Sequence, residues 1–456
     1  MRAISSLSKF LWLGLLFTGP VASAELAPDV TSTSGAPSSA SVAPPRSWAT
    51  RVEGMEGLGD LEAQADGHVA VLGTQGSDLV VARFDPTGQL LWRRRIGDAN
   101  YQQGTGLALD SAGNLVITGD YWGDLDFGGG PLPCRGEPGY PRAFVAKLDT
   151  AGAHVWSRCF GDGGQQQTGS IVVGPNDDVL VGGYFAGTID FGDGPIPANG
   201  TLSQFVARLA GADGATLWRT LYDAGGVSTL GSIAVDVEDN VVVAAAYWDQ
   251  LSYQGVPLLS VPGFNTFVLR LDAHGKPLWA KGFGPASTQT LWRLAIDGDG
   301  NILGAGAFIG SVNFGGATLY SPDGDAFVVS LDAEGGHRWS RRFGGAGFDW
   351  GYDVAVDAEG NALVTGAFSG TIDFGTGALT SQGGDDIYVA KLDRDGQARW
   401  SRSFGNASNQ SGLRVIPAGR WDAVLWGRLT GTLDFGSGPV SGSAPSDTFL
   451  TRITPP

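Results

Sequence analysis

The chain has 456 residues, a formal net charge of −17, only 16% charged side chains and 73 glycines. So acidic a surface repels phosphate backbones, which excludes nucleic acid and anionic lipid surfaces as natural partners. Sparse charge with abundant glycine suits a turn-rich all-β protein rather than a helical one.

Residues 1–24 read as a secretory signal peptide. Arg2 and Lys9 supply a positive start, Phe10 to Phe17 is a short apolar stretch, and Ala22-Ser23-Ala24 is a small-residue cleavage site. The apolar run is too short to span a bilayer, and no later run reaches the ~18 residues a membrane helix needs, so no membrane span is expected. Residues 25–46, rich in Ala, Pro, Ser and Thr and without periodicity, read as a disordered linker.

From residue 47 the chain is repetitive. Trp recurs at 48, 92, 156, 218, 279, 339 and 400, and from Trp92 onward the spacing is roughly 60 residues, which means one supersecondary unit copied in tandem. Each unit reads as four short strands. In the sixth, Val354-Ala355-Val356 turns through Asp357-Ala358-Glu359-Gly360-Asn361 into Ala362 to Phe368. A longer loop around Asp373-Phe374-Gly375 follows, then Ile387 to Leu392, the turn Asp393-Arg394-Asp395-Gly396, and Ala398 to Phe404 carrying Trp400. Short β-rich runs bounded by Gly and Asp are hairpin signals, and no stretch sustains a helical period.

Four antiparallel strands in tandem copies are the blade of a β-propeller. The last copy lacks its Trp strand, whereas the chain begins with an orphan one, Ser47 to Val52. The expectation is therefore seven blades over residues 47–456, closed by the N-terminal strand completing the C-terminal blade. Both cysteines fall in one repeat, Cys134 in a long loop and Cys159 near the end of the Trp strand. Placed at one edge of a blade, they are expected to pair, closing a loop worth roughly 3 kcal/mol in the chain-entropy model.

The segments Gly347 to Asp357, Gly360-Asn361, Thr365-Gly366 and Asp386 to Asp393 resemble the bacterial seven-bladed β-propeller (SBBP) repeat. The resemblance runs over about residues 48–453. It implies an exported protein at the surface, in the periplasm or in the medium, and it transfers no catalytic residue.

Short turns join first to second and third to fourth strands, so the longer connections share the opposite face, where function more often sits. Aligning the copies places one polar residue ahead of each innermost strand: Glu56, Gln102, Gln166, Ser228, Gln289, Asp349 and Gln410. This is a candidate ligand-binding ring at the channel mouth, because amides both donate and accept. The competing expectation is that each side chain satisfies backbone groups at its own loop. Aromatics at Tyr121, Phe185, Phe308 and Phe368 and the Phe-Gly loops are expected to fill the space between blades. Asp297-Gly298-Asp299-Gly300-Asn301 opens like a calcium loop, but its twelfth position is Phe308, so calcium is an expectation only in passing.

His68, His154, His274 and His337 are scattered over different short turns, and no nucleophile triad, phosphate loop or zinc spacing is present. The expected protein is thus an exported, monomeric binding module for a protein or glycan, with no catalytic residue, cofactor or metal assigned. A polysaccharide-acting lyase or hydrolase at the channel mouth is the alternative.

Overall fold

The Asp-x-x-Gly turns explain why strand follows strand so tightly. In the computed structural model, Asp149 Oδ1 accepts the amides of Ala151 and Ala153 at 2.9 and 2.8 Å, while Gly152 N donates to Asp149 O with φ at 81°. Asp272 and Asp393 hold the equivalent turns in the same way. A Cβ is disfavoured at that φ, hence the glycine. The structure describes residues 47–456 except 135–138, 201, 224–229, 255, 285–287, 420–421, 443–446 and 456. The expected signal peptide and linker lie outside these residues.

Among the described residues there is no helix, and the fold is an all-β propeller. The strands group into four-stranded antiparallel units. The first is Glu56–Ala63, Val69–Gln75, Asp78–Phe84 and Leu90–Ile96. The last takes Ser411–Ala418, Asp422–Arg428 and Thr448–Ile453 from the end of the chain and Trp48–Val52 from its start. In that sheet Trp48 pairs with Arg452 and Val52 with Thr448. The third and fourth units fuse into one eight-stranded sheet because Tyr222 and Asp223 pair with Tyr253 and Ser252.

Each apolar cluster is shared by two neighbouring units. Leu72 and Val81 of the first pack with Phe127 and Phe144 of the second. Trp48 and Val52 pack with Leu61 and Val69 of the first unit and Trp426 of the last. The recurring aromatics and the Phe of the Phe-Gly loops are buried there as expected, Phe127 lying 5.2 Å from Phe144 and Phe435 4.6 Å from Phe449.

The Trp period has a specific cause. Five of the indole N–H groups donate to a turn carbonyl of the following unit: Trp92 to Thr150, Trp156 to Gly211, Trp218 to Ala273, Trp279 to Ala333 and Trp339 to Arg394, at 2.7–3.0 Å, whereas the buried Trp400 indole has no such bond. Trp48 donates likewise to Pro86 O in the first unit, at 3.1 Å. Cys134 and Cys159 are joined by a disulfide, with Cα atoms 5.9 Å apart, tying the long loop of the second unit to the end of its outer strand.

Candidate functional site

The polar residues ahead of the innermost strands are mostly buried and committed to backbone. Gln102, Gln166, Gln289, Asp349 and Gln410 are each at most 2% exposed. Gln166 Nε2 donates to Gly163 O and Thr188 O at 2.7 and 2.8 Å. Gln410 Nε2 reaches Asn406 Oδ1 and Thr430 O at 2.8 and 3.1 Å, and Gln102 Nε2 reaches Asp98 Oδ1 at 2.7 Å. Gln289 donates to Phe283 O, and Asp349 Oδ2 accepts Gly345 N at 3.1 Å. These groups anchor the loop entering each unit. Glu56 is exposed and its carbonyl accepts the Thr74 hydroxyl at 2.8 Å. Ser228 lies outside the described residues.

The inner strands of successive units lie against one another, and the last lies against the first. Each carries a β-bulge, for example between Gly104 and Gly106, Thr168 and Ser170, or Gly351 and Asp353. The extra residue turns the alternation over. The residue four positions beyond each predicted one thereby meets its counterparts at a waist: Asp60, Gly106, Ser170, Ser232, Arg293, Asp353 and Arg414.

Two kinds of bond hold the waist. Four of its side chains cap an amide of the next unit: Asp60 accepts Leu107 N at 3.2 Å, Ser170 Ile233 N at 3.1 Å, Ser232 Leu294 N at 3.1 Å and Asp353 Val415 N at 2.7 Å. Asp60 Oδ1 also takes Arg293 Nη2 at 2.9 Å and Arg414 Nε at 2.7 Å, joining the first unit to the fifth across the lumen and to the last beside it. Burial alone would raise the Asp60 carboxyl, but Arg293 and Arg414 hold it below the usual range. Burial pushes Asp353 up to about 6 against the same two arginines. Glu62, one alternation further along, is pushed up to about 8 by burial and then by Asp60.

Above the waist, toward the long connections, the lining changes. In the second and third units, Asp120 Oδ1 accepts Thr168 N at 2.9 Å and Oδ2 accepts Gln167 Nε2 at 3.3 Å. Gln167 Oε1 in turn accepts Gln165 Nε2 at 2.8 Å and the Tyr184 hydroxyl. Burial pushes Asp120 up to about 8. Tyr101, Gln103, Gln167 and Tyr184 are half-buried around it, with Tyr101 edge-on to Trp122 at 5.5 Å. In the sixth unit, Phe348, Trp350 and Tyr352 stack in series, centroids 4.1 and 5.7 Å apart. Nothing in the repeat pattern announces the waist or this lining, because both depend on the bulge.

The histidines do not converge. His154 and His337 each face a Ser hydroxyl three residues on at 3.1 Å, and His68 faces Asp66 at 3.0 Å. Asp297 is occupied by its own turn, accepting Asp299 N at 3.0 Å and Asn301 N at 2.9 Å. Among the described residues no three metal-ligating side chains gather, and no helix is long and apolar enough to cross a membrane.

Comparison with known proteins bears on the repeat. Residues 338–367 match the beta-propeller repeat model of the SBBP family, where the resemblance was read. The chain is 22% identical over 438 residues to the uncharacterized WD repeat-containing protein L264 of Acanthamoeba polyphaga mimivirus, covering 77% of this chain and 31% of that one. It is 26% identical over 229 residues to the regulatory protein FlaEY of Caulobacter vibrioides, covering 48% and 22%. It therefore spans less than a third of either relative's length. Among solved structures it is similar to the Neurospora crassa Pan2 WD40 domain, with TM-score 0.44 and 10% identity over 87% of this chain and 89% of that one. It is also similar to YCF48 bound to D1 peptide, with TM-score 0.43 and 9% identity over 91% and 97%.

Proposed function

We propose that the chain is a seven-bladed β-propeller, closed by Trp48–Val52, exported as a monomer, that recognises a protein or glycan at the long-loop mouth of its channel. The shared apolar clusters, the Trp48 bond to Pro86 and the pairing of Trp48–Val52 with Thr448–Ile453 support the closure. The leader-like pattern of residues 1–24 and a disulfide support export to an oxidising compartment.

The observation that carries the binding reading is the asymmetry of the channel. Its waist is stoppered by the Asp60, Arg293 and Arg414 ion pairs. Above that stopper the walls present half-buried amides, phenols and the Trp122 indole, whose hydrogen-bonding heads and apolar faces suit an adaptable polar partner. In this reading the buried amides at Gln102, Gln166, Gln289 and Gln410 scaffold the mouth, and Gln103, Gln167 and Tyr184 touch the ligand. The test is a glycan and peptide binding array on residues 47–456, run with calcium and with chelator. The expected result is a hit abolished by Gln103→Ala with Gln167→Ala. A hit indifferent to both substitutions would place recognition elsewhere.

A second reading, a polysaccharide-acting enzyme, is favoured by Asp120, whose carboxyl stays protonated at neutral pH and could serve as an acid. It ranks second because both oxygens already accept protein hydrogen bonds and the side chain is 2% exposed.

A further inference from the structure

Arg428 ends the second strand of the last unit, opposite Ser411 on the inner strand and Thr448 on the third. Every other arginine in the described residues donates to a carboxylate, a carbonyl or another side chain. Arg414 holds Asp60, Arg452 holds Asp422, Arg270 holds Asp236, Arg342 holds Asp325 and Arg402 reaches Thr454 O. Arg428 alone has neither hydrogen bond nor ion pair, although it is half-buried.

Such a charge is expensive. Removing a guanidinium from water without a counter-ion is unfavourable, and selection ordinarily supplies a partner or removes the charge. The repeat shows the cheaper solution, because the aligned position is Ala246, Ala307 and Ala367 in the three preceding units. An unpaired cation at a position where alanine suffices points to a role outside the fold.

Its surroundings identify the kind of partner. Tyr352, on the inner strand of the neighbouring unit, packs against the cluster that holds Val424 and Trp426 of the strand ending in Arg428, and Tyr352 ends the Phe348–Trp350–Tyr352 stack. Burial raises the Tyr352 phenol well above its ordinary range, so it remains a neutral donor, and Asp385 raises it further. Trp350 is buried between Phe348 and Tyr352, so the half-buried Tyr352 at the end of the stack offers the flat apolar face for a pyranose ring and Arg428 a forked donor for a carboxylate. The acidic exterior opposes anions at long range, but that field is screened within about 8 Å at physiological salt, whereas the half-buried guanidinium is screened less.

We propose that Arg428 receives the carboxylate of an acidic saccharide, a uronate residue of a polysaccharide whose neighbouring ring lies along Tyr352. This rests on the reading of the channel mouth as a ligand site and specifies its ligand.

The experiment is titration calorimetry of residues 47–456 with uronate trimers of galacturonic, glucuronic and mannuronic acid, each as free acid and as methyl ester. Hexaglutamate serves as the peptide arm, and Arg428→Gln and Arg428→Ala serve as variants. Alanine is the residue of three other units at this position, so the second variant is expected to fold and melts are recorded for both. The expected result is that at least one acid binds, and that its ester, or either variant, weakens binding ~10- to 100-fold. Equal binding of acid and ester, unchanged by either variant, would overturn the carboxylate assignment while leaving a glycan-binding mouth intact. Binding of neither acid nor ester to the unmutated protein would overturn the acidic-saccharide assignment and remove the glycan half of the broader reading. Arg428-dependent binding of hexaglutamate alone would replace the saccharide with an acidic peptide.

Discussion

At the scale of single residues, the departures from the repeat are the informative ones. Four units place Gln at the loop anchor and the sixth places Asp349 there. Its carboxylate converges with Asp325 over Gly344, where a built Cβ would lie 2.0 Å from Asp325 Oδ1 and 2.5 Å from Asp349 Oδ2. Burial, and secondarily Asp325, pushes Asp349 up to about 7. The folded state thus holds a proton that the unfolded chain releases nearer pH 4, and stability falls as pH rises between those values. Asp349→Gln is expected to stabilise the protein by ~1–3 kcal/mol above pH 7, with the gain shrinking toward pH 5. Urea unfolding at pH 5, 7 and 8.5 measures this, and a gain that grew as pH fell would contradict it. The candidate ring was legible only to this depth. In the described units the aligned residue begins or precedes the inner strand, but beyond the bulge the side chains that meet across the lumen are four residues on, at Asp60, Arg293, Asp353 and Arg414, and alternation in the sequence cannot register an inserted residue. Arg428 was equally hidden, since its lack of a partner is a property of the packed unit.

At the scale of strands and turns, the sequence was far more readable. Asp and Gly turns, Trp strands and Phe-Gly loops recur because each performs the same local task in every unit, so a pattern read in the sixth copy transfers to the others. Lys147 and Lys391 illustrate the rule, each pairing with the Asp of a neighbouring turn at 2.7 Å. The fourth copy departs from the pattern, because its second and third strands, Val241–Tyr253 and Val256–Leu271, extend far beyond the repeat and the second pairs with the preceding unit. Trp48–Val52 is the element on which most depends. It contributes five paired residues, the Trp48 indole bond, the Thr451 hydroxyl bond to Trp48 O at 2.7 Å and an ion pair of Arg51 with Asp447 at 3.1 Å. Removing residues 47–52 is expected to lower Tm by more than 10 °C, since several kcal/mol of burial and hydrogen bonding go with it. Differential scanning calorimetry of the shortened protein decides this, and an unchanged Tm would contradict the role given to the strand.

At the scale of the whole molecule, identical interfaces repeated around an axis produce a rigid frame, and identity at the frame leaves variation to the channel. Asp60 with Arg293 joins the first unit to the fifth, which are not neighbours, and Asp60 with Arg414 joins the first to the adjacent last unit, so the lumen is cross-braced as well as ringed. The proposed site is the half of the channel above that brace, where Asp120, Tyr184, Tyr352 and Arg428 differ from unit to unit. Such a frame is one closed body. Amide hydrogen exchange of residues 47–456 tests that most directly, by comparing Trp48–Val52 with Thr448–Ile453 and with inner strands such as Gln102–Leu109. The account predicts that all three exchange together, as one cooperative unit with slow global opening. Fast exchange confined to Trp48–Val52, with the other two protected, would show an open ring and contradict it.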